Sequence, residues 1–471
     1  MSWETVIGLE VHAQLATRTK IFSRESAAYG AEPNTHVNEV CAGMPGVLPV
    51  MNRDAVHMAM KAGAALGCQI NRLSQFDRKQ YFYPDLPKGY QISQFAAPIC
   101  TGGEVRFLVD GEERVCQLTR IHMEEDAGKS SHEGDSSLVD LNRAGTPLIE
   151  IVSEPDLGTA EEAAAYLREL RAILRYIDVC DGNLEQGSFR CDANVSVRRK
   201  GEPLGTRAEI KNLNSFRFVQ RAIQYEVGRQ IDLLEGGGRV VQETRLYNAD
   251  TGKTFSMRSK EDAHDYRYFP DPDLPPMVID EAWELRARAE LPELPGARRV
   301  RYQSEWDVSA ADAVTLSASR EVADFFEAAA AGSKNPKRVS NWVVNEVLRV
   351  VENPEDGLAL LFTAAQLAAL SDMVEAKEIT GKIAKTVFEH MVATGDDPGA
   401  ILDREGLRPV RDEGAVRAAV EKIVADNPEQ AEQFRAGKTK VMGFFIGQVM
   451  RATKGKADPD LVRQLLAELL A

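Results

Sequence analysis

The residues best suited to chemistry begin in the segment 186–198, QGSFRCDANVSVR, whose side chains alternate between apolar and polar. This two-residue period is typical of a β-strand, where successive side chains point to opposite faces. Arg190, Asp192 and Asn194 therefore share one face, while the apolar residues between them can pack on a core. A strand with a solvated face alternates in the same way. The segment alone thus leaves a site and an ordinary surface strand both open.

Residues 3–15, WETVIGLEVHAQL, alternate in the same manner and place Glu10 and His12 on one face. A carboxylate and an imidazole two residues apart on a strand are a common arrangement of metal ligands. A solvated strand with an incidental histidine is the competing interpretation.

A hairpin is predicted over 104–126, with its turn at Asp110-Gly111. The return strand ends in three consecutive acids, EED, and alternation puts Glu124 and Glu125 on opposite faces. Carboxylates crowded together repel one another unless a cation is present. They indicate Mg²⁺ or another hard cation, with a solvated acidic turn as the alternative.

Three more segments add charged groups. Glu150 belongs to a short apolar strand in DLNRAGTPLIEIVSEPD, and Glu209 shares a strand face with a lysine and an arginine in RAEIK. The segment 78–91, RKQYFYPDLPKGYQ, is predicted to be a stiff loop because of its prolines and glycine. Such a loop could hold phosphate through Lys79 and Lys88, or it could be a surface loop without function.

Composition indicates a globular protein of two to four domains, with 471 residues and 44% hydrophobic content. Since no run of about 18 apolar residues exists and MSWETVIGLE does not resemble a signal peptide, we expect a cytoplasmic protein without a membrane anchor. The six cysteines form no C-x-x-C motif and are expected to be reduced. A net charge of −15 argues against nucleic-acid binding by the whole surface.

The pattern changes near residue 290. A sheet-rich part gives way to the proline-bearing linker LPELPGARRVRY, then to alanine-rich amphipathic helices, a second hinge over 395–409 and a small helical tail. The predicted fold class is α+β, with domains at 1–293, 294–405 and 406–471. The tail contains a cationic island, with no acid between 436 and 457; its basic residues are Arg435, Lys438, Lys440, Arg451, Lys454 and Lys456.

Several familiar motifs are missing. The three GK[ST] triplets lack the first glycine of a phosphate loop, and no dinucleotide fingerprint opens a helix after a strand. ATP, if used, must therefore be held by a sheet with acids and a metal. No nucleophile suited to releasing ammonia from an amide is recognisable either, so any amide nitrogen must come from elsewhere.

At this point eight motifs, in order, resemble one family, the B subunits of the aspartyl/glutamyl-tRNA(Asn/Gln) amidotransferases. They are GLEVHAQL, DRKQYFYPDLPKGYQISQ, HMEEDAGK, NRAGTPLIEIVSEPD, QGSFRCDANVSVR, EIKNLNSF, QETRLYN and DYRYFPDPDLPP. The tail, GKTKVMGFFIGQVMRATKGKADPDLV, is similar to the C-terminal domain of that family.

The resemblance implies an antiparallel-sheet cradle domain like that of glutamine synthetase, then an all-α helical domain and an all-α tail that meets tRNA. It also implies a ligase that forms carbon-nitrogen bonds with ATP, Mg²⁺ and glutamine as amido donor. A side-chain carboxylate on Glu-tRNA(Gln), Asp-tRNA(Asn) or both is phosphorylated, and ammonia displaces the phosphate. Such a transfer needs metal and cationic groups more than a protein nucleophile.

Roles follow from the resemblance residue by residue. The implied Mg²⁺ ligands are His12, Glu125 and Glu150. The remaining implied catalytic residues are Glu10, Lys79 and Asp192. Substrate or nucleotide binding is implied for Lys88, Glu124, Arg190 and Glu209. The implied tRNA-binding residues are Lys438, Lys440, Arg451, Lys454 and Lys456.

The implied partners are the two other chains of the same amidotransferase, the amidase subunit, which sends ammonia through a channel, and the small subunit. A free-standing ligase that amidates a small carboxylic acid is the alternative, although it has no use for a cationic tail. A non-enzymatic RNA-binding scaffold is the third hypothesis, and it leaves the pattern of acids and histidine without a purpose.

A structural zinc is not predicted. Many family members carry four cysteine ligands near the N-terminus, whereas the matching positions here are Ser23, Glu25, Asn38 and Cys41. One cysteine cannot build a sulfur-rich tetrahedral site. Metal analysis of protein purified without chelator is expected to find no stoichiometric zinc, and one tightly held zinc per chain would contradict the prediction.

Overall fold

The structure is a computed structural model that describes residues 2–259, 266–354, 357–408, 413–436, 438, 441–453, 457 and 459–470. The chain divides into two compact units, residues 1–297 and 298–471. Strands dominate the first unit and helices the second, so the mixed architecture expected from the sequence is confirmed at this level.

The strands of the first unit have the following bounds: β1 Trp3–Gln14, β2 Gln69–Ile70, β3 Leu73–Ser74, β4 Asp77–Gln80, β5 Tyr90–Ser93, β6 Cys100–Thr101, β7 Glu104–Val109, β8 Glu112–Glu125, β9 Lys129–Glu133, β10 Ser136–Asp140, β11 Pro147–Ser153, β12 Phe189–Arg199, β13 Ala208–Lys211, β14 Glu243–Asn248, β15 Lys253–Ser259, β16 Phe269–Pro270 and β17 Met277–Val278. Its helices are α1 Arg53–Ala65, α2 Ala160–Tyr176, α3 Phe216–Glu235 and α4 Glu281–Ala289; α5 Pro295–Trp306 crosses the boundary between the units.

One large sheet organises the first unit, in the strand order β15-β14-β13-β12-β1-β11-β8-β5-β4-β16. The pairs along this path are antiparallel except for β13 with β14. The apolar face packs on α2 and α3, and its core includes Ile7, Leu9 and Val11 of β1. Because side chains alternate along a strand, the opposite face is left for polar groups.

Several predicted elements are confirmed. The two alternating segments form β1 and β12, and the hairpin β7–β8 turns at Asp110 and Gly111, whose φ angles of 52° and 82° suit a two-residue primed turn. Helix α2 begins with a capping box in which Thr159 and Glu162 each bond the other's backbone N–H.

Two predictions of irregular structure were wrong. The segment 78–91 is a loop only between β4 and β5, because Asp77–Gln80 and Tyr90–Ser93 pair with each other. The linker after residue 290 becomes helical at Pro295, a residue that is well tolerated in the first turn of a helix.

The second unit continues with these helices: α6 Ala310–Leu316, α7 Arg320–Ala331, α8 Pro336–Trp342, a π-helical turn Val343–Val347, α9 Leu348–Val350, α10 Ala364–Glu375, α11 Gly381–Thr394, α12 Pro398–Arg404, α13 Glu413–Ala425, α14 Pro428–Arg435, α15 Val441–Ala452 and α16 Pro459–Leu470. Helix α12 lies within the predicted hinge 395–409, where the Asp397 side chain accepts a hydrogen bond from Gly399 N–H and caps the helix. Two separate apolar clusters form, one from residues between 302 and 402 and one from residues between 416 and 470.

The buried thiols give a selective test of the first unit, because all six cysteines lie between residues 41 and 191 and all are buried. Leu170 of α2 is fully buried beneath the sheet. We expect Leu170→Ala to destabilise this unit by roughly 2–5 kcal/mol through lost contacts and a cavity. Thiol labelling through unfolding should then accelerate about 30-fold or more, since ~1.4 kcal/mol is a factor of ten.

The matched control is Arg168→Ala on the exposed face of the same helix. It should change the labelling rate little, because exposed substitutions usually stay within about 0.5 kcal/mol. Equal rates for the two variants would show that α2 does not stabilise the sheet as the packing indicates.

Candidate active site

A row of ionisable side chains crosses four neighbouring strands. In the antiparallel register His122 of β8 is paired with Glu150 of β11, Glu150 with His12 of β1, and His12 with Arg190 of β12. Directly paired residues point to the same face of a sheet, so all four lie on the face opposite the apolar core. Residues that are far apart in the sequence are therefore brought into one line by strand pairing.

The centre of this row is a compact group of two histidines and two glutamates. His12 Nε2 lies 3.2 Å from Glu150 Oε2 and 3.8 Å from Glu124 Oε1. His122 Nε2 lies 3.4 Å from Glu150 Oε2 and 3.7 Å from Glu124 Oε2. Ligand atoms of His12, Glu124 and Glu150 lie within 4.8 Å of one another, which is close enough for one metal ion to reach all three.

Burial and charge shift the pKa values of this group in opposite directions. Burial lowers the pKa of His122, but the charge of Glu150 and hydrogen bonds to both carboxylates raise it to about 9. The pKa of His12 is likewise raised, because contact with Glu150 outweighs burial. Burial raises the pKa of Glu150, but the two imidazoles hold it well below its usual range. The carboxylates thus stay ionised in a buried place. A bound cation would replace the imidazole proton of His12, because a histidine that ligates a metal must be neutral.

Glu125 does not belong to this group, contrary to the predicted ligand set of His12, Glu125 and Glu150. Its side chain points to the other face of β8, where it accepts hydrogen bonds from Lys88 Nζ and from the backbone N–H of Ile92, the latter at 2.9 Å. Glu124 occupies the place that the prediction gave to Glu125. Strand parity explains the difference, since adjacent residues of a strand face opposite ways.

The group opens into a polar cavity of about 330 Å³. Among the residues predicted for the site, those that line it are Glu10, His12, Lys79, Glu150, Asp192 and Glu209. Glu124 borders it through its contact with His12. Lys88 is held by Glu125, and the Arg190 Nη2 donates to Asp126 Oδ2 at 2.8 Å, so neither of these two cations is directed into the cavity.

Lys79 belongs to β4 and supplies a cation on one side of the cavity. Its Nζ lies 5.0 Å from the centre of the Tyr266 ring, within the range of a cation–π contact. Burial lowers the pKa of Lys79, but the charges of Glu124 and Glu150 and the nearby tyrosines raise it overall. The side chain is therefore a stable cation close to the carboxylates.

A second charged group lies across β12 and β13. Lys211 Nζ donates to Asp192 Oδ2 at 2.7 Å and lies 3.0 Å from Glu209 Oε1. Burial lowers the pKa of Lys211, but these two acids raise it overall. Glu10 stands between the two groups and accepts a hydrogen bond from Asn194 Nδ2 at 3.0 Å. Burial and then the neighbouring carboxylates raise the pKa of Glu10.

Sequence reasoning gave no role to His122 or Lys211. The available signal was parity, since His122 shares a face with Glu124 and Lys211 shares one with Glu209. Parity alone does not give the strand register, and it is the register that pairs His122 with Glu150.

The tail is described only in part. Lys438 and Arg451 are exposed, whereas Lys440, Lys454 and Lys456 lie outside the described residues.

Among the four positions considered for zinc, Cys41 Sγ lies 3.3 Å from Nζ of the fully buried Lys20. The absence of zinc stays a prediction.

Comparison with known proteins gives the family. A family model described as the GatB/GatE catalytic domain matches residues 5–284, and one described as the GatB domain matches residues 324–470. The chain belongs to the B subunits of the aspartyl/glutamyl-tRNA(Asn/Gln) amidotransferases. Relatives of that name from Thioalkalivibrio sulfidiphilus and Solidesulfovibrio magneticus are each 56% identical to it. The first alignment covers 100% of both chains and the second 99% of both.

The B-subunit family thus accounts for both units of the chain, and the resemblance inferred from the motifs is confirmed. None of the helices in the described ranges combines the length and the apolar character that crossing a membrane requires.

Glu124 and Glu125 form a matched pair for testing the metal group. We expect Glu124→Gln to weaken Mn²⁺ or Mg²⁺ binding by at least about tenfold, because one charged ligand is lost. Glu125→Gln should have the smaller effect, since its carboxylate already pairs with Lys88 on the other face. Isothermal titration of both variants with Mn²⁺ measures the difference, and a larger loss for Glu125→Gln would restore the ligand set predicted from the sequence.

Proposed function

We propose that this chain uses ATP to phosphorylate the side-chain carboxylate of Glu-tRNA(Gln), Asp-tRNA(Asn) or both, and that ammonia then displaces the phosphate to leave an amide. The observation that carries the proposal is the close grouping of His12, Glu124 and Glu150 beside a cavity that His12, Glu150 and Lys79 line. Phosphoryl transfer depends on positioning and on offsetting charge rather than on a protein nucleophile. These side chains are suited to that task.

The two charged groups suggest a division of labour. A divalent ion held by His12, Glu124 and Glu150 would offset the charge of the phosphates. His122 keeps the two carboxylates of this group in place through its contacts with both. Lys79, on β4 two strands away from β8, neutralises phosphate charge and helps to orient the transferred group.

The second group supports the amidation half-reaction. Ammonia carries a proton when it arrives as ammonium, and a carboxylate with a raised pKa can accept that proton. Glu10 has these properties and lies between the two groups, while Asp192 and Glu209 are held in position by Lys211. Their negative charge favours ammonium binding next to the activated carboxyl.

Glutamine is the proposed source of the ammonia, and the amidase subunit of the same amidotransferase is the proposed partner that releases it. The small subunit completes the proposed heterotrimer. A partner is needed because this chain carries no recognisable nucleophile for cleaving an amide. Work on charged tRNA implies the cytoplasm as the place of action.

The proposal extends to the finer architecture. A glutamine synthetase-like cradle over 1–293, a helical domain over 294–405 and a tRNA-binding tail over 406–471 are consistent with the large sheet and the two helical clusters. The tail would bind the phosphate backbone through Lys438, Lys440, Arg451, Lys454 and Lys456. Similarity to the B subunits over the whole chain favours this function over a free-standing ligase.

The direct test incubates the purified complex with Glu-tRNA(Gln), Asp-tRNA(Asn), ATP, Mg²⁺ and glutamine, and follows Gln or Asn formation on each tRNA. We expect Glu150→Gln to lower amide formation and tRNA-dependent ATP hydrolysis by about 100-fold or more, a loss typical of removing one preorganised electrostatic group. Undiminished ATP hydrolysis in this variant would show that the proposed site does not carry out the phosphorylation.

Deleting residues 410–471 separates the remaining alternatives. Under the proposed function, amide formation on charged tRNA should fall much more than ATP hydrolysis, because only tRNA placement is lost. A free-standing ligase would amidate small carboxylic acids equally well with and without the tail. A binding scaffold would form no amide even when the chain is full-length.

A further inference from the structure

A stacked pair of aromatic rings lies at the edge of the active-site cavity and has no role in the chemistry described above. The rings of Phe95 and Tyr268 are nearly parallel, at an interplanar angle of 6°, with centroids 4.1 Å apart. Both residues line the cavity. Phe95 is nevertheless 48% exposed, so one face of its ring is covered by Tyr268 while ring surface remains open towards solvent.

Hydrogen bonds and strand pairing hold the backbone beside each ring. Asp77, which is buried, accepts hydrogen bonds from the backbone N–H groups of Phe95 and Ala96 at 3.1 and 3.4 Å. On the other side, Phe269 is paired with Arg78 in the sheet, directly after Tyr268. A preorganised flat surface loses little entropy when a planar ligand stacks on it.

Each ring lies two residues from a side chain that contacts the proposed phosphate-handling groups. Ser93 Oγ donates to Glu124 Oε2 at 3.2 Å, two residues before Phe95. The Tyr266 ring contacts Lys79, two residues before Tyr268. The Tyr268 ring centroid lies 5.9 Å from that of Tyr266, a distance comparable with the ribose between a nucleobase and its first phosphate.

From this placement we infer that Phe95, backed by Tyr268, is a stacking platform for the adenine base of a substrate. The phosphates or the aminoacyl ester of that substrate would extend towards Lys79 and Glu124. This inference rests on the proposed function, since both of its large substrates carry adenine. One source is ATP, and the other is the terminal adenosine of the charged tRNA. Stacking on an aromatic ring requires only the flat face of the base.

The binding test uses the assembled complex with Mg²⁺ present and two probes, a non-hydrolysable ATP analogue and inorganic tripolyphosphate. If ATP supplies the adenine, Phe95→Ala should weaken binding of the analogue about tenfold or more, as loss of base stacking does. Tripolyphosphate binding should not change, because it has no base. Phe95→Trp should bind the analogue within about twofold of the wild type, since a larger ring still stacks.

A second arm tests the tRNA as the source. Binding is compared for uncharged tRNA with and without its terminal adenosine. If the tRNA supplies the base, the wild type should prefer the complete tRNA, and Phe95→Ala should lose that preference. The wild type and Phe95→Ala should then bind the ATP analogue equally well.

Phe255 provides the matched control, because it is 49% exposed in β15 and does not line the cavity. Phe255→Ala should leave all these affinities unchanged. The platform is disproved if Phe95→Ala binds every probe like the wild type, if tripolyphosphate binding weakens equally, or if the variant only impairs assembly with the other subunits. A wild-type complex that forms no amide would refute the proposed function, whereas equal amide formation and binding by Phe95→Ala would refute the platform alone.

Discussion

The register of β1 between β11 and β12 is the constraint on which the site depends. His12 meets Glu150 on one side and Arg190 on the other only in this alignment. A slip of one residue would turn the polar side chains of β1 into the core. Burial of Ile7, Leu9 and Val11 against the helices prevents that slip. The apolar face therefore fixes the geometry of the chemical face, although its own side chains point away from the cavity.

This arrangement concentrates like charges in a buried place, which is costly unless opposite charges stand among them. The two imidazoles do this for Glu124 and Glu150, and Lys211 does it for Asp192 and Glu209. Glu10 lies between these groups, where a neutral amide is its hydrogen-bond donor and its pKa is raised. The charges are thus balanced within each of these two groups and least balanced at Glu10, which lies between them. A site built in this way can accept a cation or a proton without rebuilding its surroundings.

The alternation of the sequence predicted which residues of one strand share a face, and this was sufficient for Glu10 with His12. It could not decide between Glu124 and Glu125, because both belong to a run of acids and only the register with β11 identifies the one facing His12. The prolines in 78–91 suggested a loop and concealed β4, whose pairing with β5 places Lys79. Tyr268 was quoted within a motif but received no role, since nothing local indicates that its ring stacks on Phe95. Contacts between distant segments account for what the sequence could not supply.

The order of strands in the sheet determines which kinds of side chain lie at each end of the cavity. At one end, β4, β5 and β16 bring a lysine and aromatic rings to the cavity, and the ion pair of Arg78 with Asp271, at 2.9 Å, fixes that edge. At the other end, β12 and β13 bring acids paired with Lys211. Between them lie the carboxylates and histidines of β1, β8 and β11. A phosphate donor suits the cationic and aromatic end, and an ammonium ion suits the acidic end. Under the proposed function, a carboxyl group that reacts first with one and then with the other would lie at the centre, where the register gathers His12, Glu124 and Glu150.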